Sequence, residues 1–239
     1  MPTGNTRIKV CCVRSRAEAL LAIRAGVDAI GLVSAMPSGP GVISEEVIAD
    51  VCRCVPPGVS SFLLTSSQEA EEIVAQQRRT GASVLQLVDH QAPETLREVR
   101  RALPGIRLVQ VIHVAGEESL AQAMDVQPFV DGLLFDSGRP NAPTKELGGT
   151  GRTHDWNVSR SIVSESSVPV FLAGGLNASN VERAIFAVQP FGVDVCSGVR
   201  TDGRLDAEKL RSFVRAVRWH EAGEDAGRAR APQAANEPL

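Results

Sequence analysis

Short continuous apolar runs alternate with amphipathic stretches along most of this chain, and the alternation repeats eight times. The runs cover 8–13, 28–33, 59–64, 83–88, 106–113, 130–136, 168–172 and 193–196. They are continuous rather than alternating, as expected of strands buried on both faces in a parallel sheet. Amphipathic stretches between and after them read as helices. One runs from Arg16 to Ala25 and is closed by Gly26, one starts at Ser44, and the last spans 207–219. Eight such units predict an α/β fold, a single (β/α)8 barrel. An open doubly wound sheet is the alternative, but 239 residues and eight units favour closure.

Composition narrows the class. The chain is 43% hydrophobic and 22% charged with net charge −3, which suits one soluble domain of barrel size or two small ones. No basic excess points to nucleic acid, and no apolar run is long enough for a membrane. The first residues lack the apolar core of a signal peptide. Five cysteines are an odd number, and their spacing fits no zinc template. The expectation is a cytoplasmic protein with free thiols, without metal, acting as a monomer or homodimer. The barrel is assigned to 1–220. Residues 221–239, rich in Ala, Gly, Arg, Glu and Pro without an apolar period, are expected to form a disordered tail.

In such barrels function gathers at the C-terminal ends of the strands. Two turns there contain glycine, Gly174-Gly175 after the seventh run and Ser197-Gly198 after the eighth. Glycine lets backbone N–H groups approach a phosphate closely, and a helix N-terminus behind each turn adds positive potential. The first run ends in Cys11-Cys12; strict alternation sends one side chain into the mouth and the other outward. The sixth run ends in Asp136, a carboxylate that needs a partner or a task. A long loop follows, holding Gly148 to Gly151 and then His154-Asp155-Trp156. His113 ends the fifth run, where a hydrogen-bonded structural role competes with a place in the mouth.

These residues together resemble the phosphoribosylanthranilate isomerase family of tryptophan biosynthesis. That family's Lys-Ile-Cys-Gly is similar to Lys9-Val10-Cys11-Cys12, and its Leu-Leu-Asp-Ser to Leu134-Phe135-Asp136-Ser137. Its Gly-Gly-Thr-Gly and Asp-Trp match Gly148 to Gly151 and Asp155-Trp156. Its Leu-Ala-Gly-Gly-Leu matches Leu172 to Leu176, and its Val-Asp-Val-Ser-Ser-Gly-Val matches Val193 to Val199, with Cys196 for the first serine.

The resemblance implies a cofactor-free Amadori rearrangement of N-(5-phosphoribosyl)anthranilate, a small phosphoribosyl substrate. Asp136 would be the general acid and Cys11 the general base. Gly149, Thr150, Gly174, Gly175, Ser197 and Gly198 would hold the phosphate. The chain also departs from the pattern. Gly41 stands at the family's substrate-binding arginine, Val88 replaces a histidine in Gln-Leu-His-Gly, and Arg200 replaces a glutamate. Gln86, Arg14 and Arg200 are therefore the expected substrate contacts, the arginines standing in for the lost cation. The alternative is a divergent paralogue that takes another phosphoribosyl ligand.

Overall fold

A computed structural model describes residues 5–37, 39–116, 118–137 and 155–229. Eight parallel strands close into a barrel in sequence order. They are β1 (Arg7–Val10), β2 (Ala29–Val33), β3 (Ser60–Thr65), β4 (Val84–Leu87), β5 (Arg107–His113), β6 (Gly132–Asp136), β7 (Val170–Leu172) and β8 (Gly192–Val195). Pairing of β1 with β8, Val10 opposite Val195, completes the ring. The helices outside it are α1 (Arg16–Arg24), α2 (Glu45–Cys52), α3 (Ala70–Thr80), α4 (Pro93–Ala102), α5 (Glu118–Val126), α6 (Trp156–Glu165), α7 (Val181–Val188) and α8 (Ala207–Ala229).

Local chemistry sets the helix ends. The Ser15 hydroxyl accepts the Glu18 N–H at 3.3 Å, and the Ser44 hydroxyl accepts the Val47 N–H at 3.4 Å. Pro93 opens α4, where its missing N–H costs nothing.

Strand alternation divides the core in two. Ile8, Leu63, Leu85, Leu108 and Leu133 face outward and pack under the helices. Phe62, Leu64, Val109, Val111, Leu134 and Phe171 fill the barrel interior. Continuous apolar runs are what this double burial requires.

Two boundaries differ from expectation. β1 stops at Val10 rather than at 13, because Cys12 takes a left-handed backbone with φ of 61° and cannot continue a ladder. α8 continues through Ala229, past the boundary set at 220. Alanine, glutamate and arginine carry high helix propensity, so they extend a helix without any apolar stripe. The remainder of the expected tail, 230–239, lies outside the described residues. Among the described residues no helix is long and apolar enough to cross a membrane.

Candidate active site

A cavity opens at the C-terminal ends of the strands, with about 680 Å³ of non-protein space, part of it open to solvent. Cys11, Gln86, Asp136, Gly174, Gly175 and Ser197 all line it. The structure thus brings together residues from β1, β4, β6 and the loops after β7 and β8. The β2 loop covers one side through Met36, Gly39 and Pro40. Gly149 and Thr150 fall in the segment outside the described residues.

The first strand end departs from simple alternation. Both Cys11 and Cys12 line the cavity, because the left-handed turn at Cys12 swings its side chain round to the same side. Cys12 Sγ lies 2.8 Å from Cys196 Sγ. On its other flank is Gly41, with φ of +84°. A Cβ there would stand 2.6 Å from Cys12 Cβ and 3.0 Å from Cys12 Cα. The side chain of Cys12 therefore occupies the space that any side chain at position 41 would enter.

Below the thiols lies a buried ion pair. Lys9 Nζ donates to Asp194 Oδ2 at 2.9 Å, with Lys9 fully buried and Asp194 7% exposed. Burial opposes the charge on Lys9, but the Asp194 carboxylate outweighs it and holds the ammonium well above its ordinary range. Cys11 Sγ and Lys9 Nζ both approach Gly31, 3.0 and 3.1 Å from where its Cβ would be. Asp194 Oδ1 and Gln86 Oε1 are buried without a protein hydrogen bond, and both residues line the cavity. Such acceptors need a donor from outside the protein. Sequence reading missed Asp194; its signal was a carboxylate between Val193 and Val195, inside an apolar strand.

Asp136 closes β6, a strand not adjacent to β1 in the ring, and lines the same cavity as Cys11. Burial raises its carboxyl above the ordinary carboxylate range, opposed by the Ser137 N–H at 2.7 Å and by neighbouring His113. His113 pairs in register with Asp136 on β5, and its Nε2 lies 3.0 Å from the Val88 carbonyl. That contact is the hydrogen-bonded structural role.

The two glycine turns differ from each other. Gly174 and Gly175 have φ of 88° and 63° and line the cavity. α7 begins only at Val181, after a turn in which the Asn180 side chain accepts the Asn177 N–H at 2.9 Å. Ser197 opens a 3-10 turn (Ser197–Val199), and a small hairpin, β9 (Arg200–Thr201) with β10 (Arg204–Leu205), separates it from α8. A helix N-terminus therefore does not sit directly behind the second turn. Gly198 is not among the cavity-lining residues. It packs against the first turn, where a Cβ would lie 2.0 Å from the Leu176 carbonyl oxygen.

Neither arginine expected at the substrate reaches the cavity lining. Arg14 is exposed, with its backbone N–H on Glu18. The Arg200 guanidinium is spent on Glu18 at 3.2 Å and on the carbonyls of Cys11, Cys12 and Gly203 at 3.2, 2.5 and 3.1 Å. Burial opposes charge on Glu18, but the Leu205 N–H and Arg200 hold its carboxyl below the ordinary range. Arg200 thus ties the β8 loop to the end of β1, a role that its place just past a strand end did not reveal.

The family described as N-(5'-phosphoribosyl)anthranilate (PRA) isomerase matches residues 8–216. A protein of that name from Methanocella arvoryzae is 34% identical over 214 residues, 89% of this chain and 98% of the relative. One from Haloferax volcanii is 35% identical, over 89% and 93% of the two chains. The crystal structure of phosphoribosyl anthranilate isomerase from Thermotoga maritima aligns with TM-score 0.77 at 28% identity, covering 90% of this chain and 99% of that one.

Proposed function

The chain belongs to the N-(5'-phosphoribosyl)anthranilate isomerase family, and from that membership we propose that its cavity carries out the family's reaction. The substrate is N-(5-phosphoribosyl)anthranilate and the product 1-(2-carboxyphenylamino)-1-deoxyribulose 5-phosphate. The observation that carries the roles is that Cys11, just past β1, and Asp136, at the end of β6, line one cavity from strands that are not neighbours in the barrel. A sugar between them meets a proton donor on one side and a proton acceptor on the other.

Asp136, whose charged form burial disfavours, gives its proton to the furanose ring oxygen. The C1–O bond breaks as the nitrogen lone pair forms a C=N bond, leaving an open-chain Schiff base. Cys11 then removes the proton on C2, and those electrons move into a C1=C2 bond as the C=N π electrons return to nitrogen. The enolamine takes a proton at C1, releases the proton of its C2 hydroxyl as the C2=O bond forms, and becomes the ketone. C1 is reduced as C2 is oxidised, so electrons balance within the substrate and no redox cofactor is needed.

A cysteine base must act as thiolate, and the Lys9 ammonium over the same glycine brings positive charge to that side. Gln86 Oε1 and Asp194 Oδ1, buried acceptors without protein donors, suit sugar hydroxyls. The phosphate is assigned to the backbone of Gly174, Gly175 and Ser197. Expression in a tryptophan auxotroph lacking this isomerase tests the reading: growth without tryptophan supports it, and no growth despite soluble protein counts against it.

A further inference from the structure

Three of the chain's five cysteines meet at this cavity, one more than the proposed base and one neighbour would need. We propose that Cys12 and Cys196 form an oxidisable dithiol, closing reversibly to a disulfide that joins the end of β1 to the β8 loop at the cavity wall. Their sulfurs are 2.8 Å apart, and closure to a bond of about 2.05 Å asks for a small shift. They sit just past paired strands, Val10 opposite Val195.

The surroundings are built for this contact. Cys12 holds a left-handed backbone that few side chains adopt, and Gly41 leaves free the space that its side chain fills. Both cysteines line the cavity, so a small oxidant reaches them from solvent. Among the described residues no His, Cys, Asp and Glu group is arranged to hold a metal ion.

The two thiols are unequal. The Cys12 thiol beside it and the charge of Arg200 hold Cys196 below the ordinary thiol range, although burial opposes them. Contacts with Cys11 and Cys196, together with burial, push Cys12 up. Cys196 is therefore the sulfur that attacks first. Its thiolate attacks the terminal oxygen of a hydroperoxide, the O–O bond breaks, and the alcohol or water leaves with a proton. The sulfenic acid so formed is attacked by Cys12. The S–O bond breaks, and water leaves with the Cys12 proton. Two thiols and one hydroperoxide give one disulfide, one alcohol or water, and one water. A dithiol reductant reverses the step by two exchanges.

The test is peptide mapping of the full-length protein after treatment with about one equivalent of hydrogen peroxide. Tryptic cleavage puts Cys11 and Cys12 in peptide 10–14 and Cys196 in peptide 184–200. The expected product is these two peptides linked, with a mass two hydrogens below their sum, abolished by dithiothreitol. The link should survive in Cys11→Ser and vanish in Cys12→Ser and Cys196→Ser. Fragmentation of the wild-type linked peptide locates the bridged sulfur even if a variant fails to fold. Absence of the link, a bridge to Cys11, or sulfinic acid on Cys11 in its place would overturn the proposal. The readout is a mass, so its failure would leave the isomerase reading standing.

Discussion

Cys12 and Gly41 share one volume: a Cβ at 41 would lie 2.6 Å from Cys12 Cβ. The missing arginine and the added thiol are thus two halves of one exchange. Gly41→Arg alone should weaken both stability and turnover, because φ of +84° and the clash act together. Pairing it with Cys12→Gly should recover part of the loss, with a coupling of about 0.5–3 kcal/mol in a double-mutant cycle. Additive effects would mean that the two positions do not compete.

Asp136 also predicts a pH dependence. Its folded-state pKa is raised, so the protonated form persists above the ordinary aspartate value of about 3.9. An acid must be protonated to act, so kcat/KM should fall as pH rises through that raised value. The fall should be missing from the residual activity of Asp136→Asn. The same shift sets a stability difference. Wild type loses stability as pH rises and the buried carboxyl ionises, whereas the asparagine variant does not. Asp136→Asn should therefore melt higher than wild type at neutral pH, and the gap should close below about pH 3.9. An equal gap at both pH values would contradict the burial argument.

At the scale of elements, two ionic contacts hold the catalytic strand ends. Lys9 and Asp194 face each other in register on β1 and β8, and Arg200 binds the carbonyls just past β1 with Glu18 of α1 behind it. Lys9→Met leaves a buried carboxylate without its partner and should cost about 3–5 kcal/mol, read by denaturant unfolding. A loss below about 1 kcal/mol, the value of a surface pair, would show that the pair is not buried as described.

The strands were legible because burial on both faces favours continuous apolar runs. Asp194 went unread inside such a run, and only the β1–β8 register shows that it meets Lys9. Arg200 was legible as a residue beyond a strand end and not as a clamp, since its partner Glu18 lies far away in the chain, on α1. Cys12 was misplaced because alternation assumes extended backbone, and a left-handed residue breaks it.

At the scale of the whole molecule, eight repeated units specify a closed barrel, and closure gathers the ends of β1, β4, β6, β7 and β8 around one cavity. Of the expected site residues that line it, Cys11, Asp136, Gly174, Gly175 and Ser197 stand at strand ends and glycine turns, whereas Gln86 was expected from the family resemblance alone. An anion test addresses the phosphate assignment: sulfate or phosphate soaked into crystals should appear against Gly174, Gly175 and Ser197. Density only elsewhere at saturating concentration would remove that assignment.

The central claim is the isomerisation itself, with Cys11 and Asp136 as its proton-transfer pair. The most direct measurement incubates purified protein, free of added cofactor, with N-(5-phosphoribosyl)anthranilate deuterated at C2 and follows the product. Conversion to the 1-deoxyribulose isomer with loss of the C2 deuterium to solvent is expected, with kcat lower by at least about 10²-fold in Cys11→Ser and in Asp136→Asn. No conversion by well-folded wild type, or undiminished conversion in both variants, would contradict that claim.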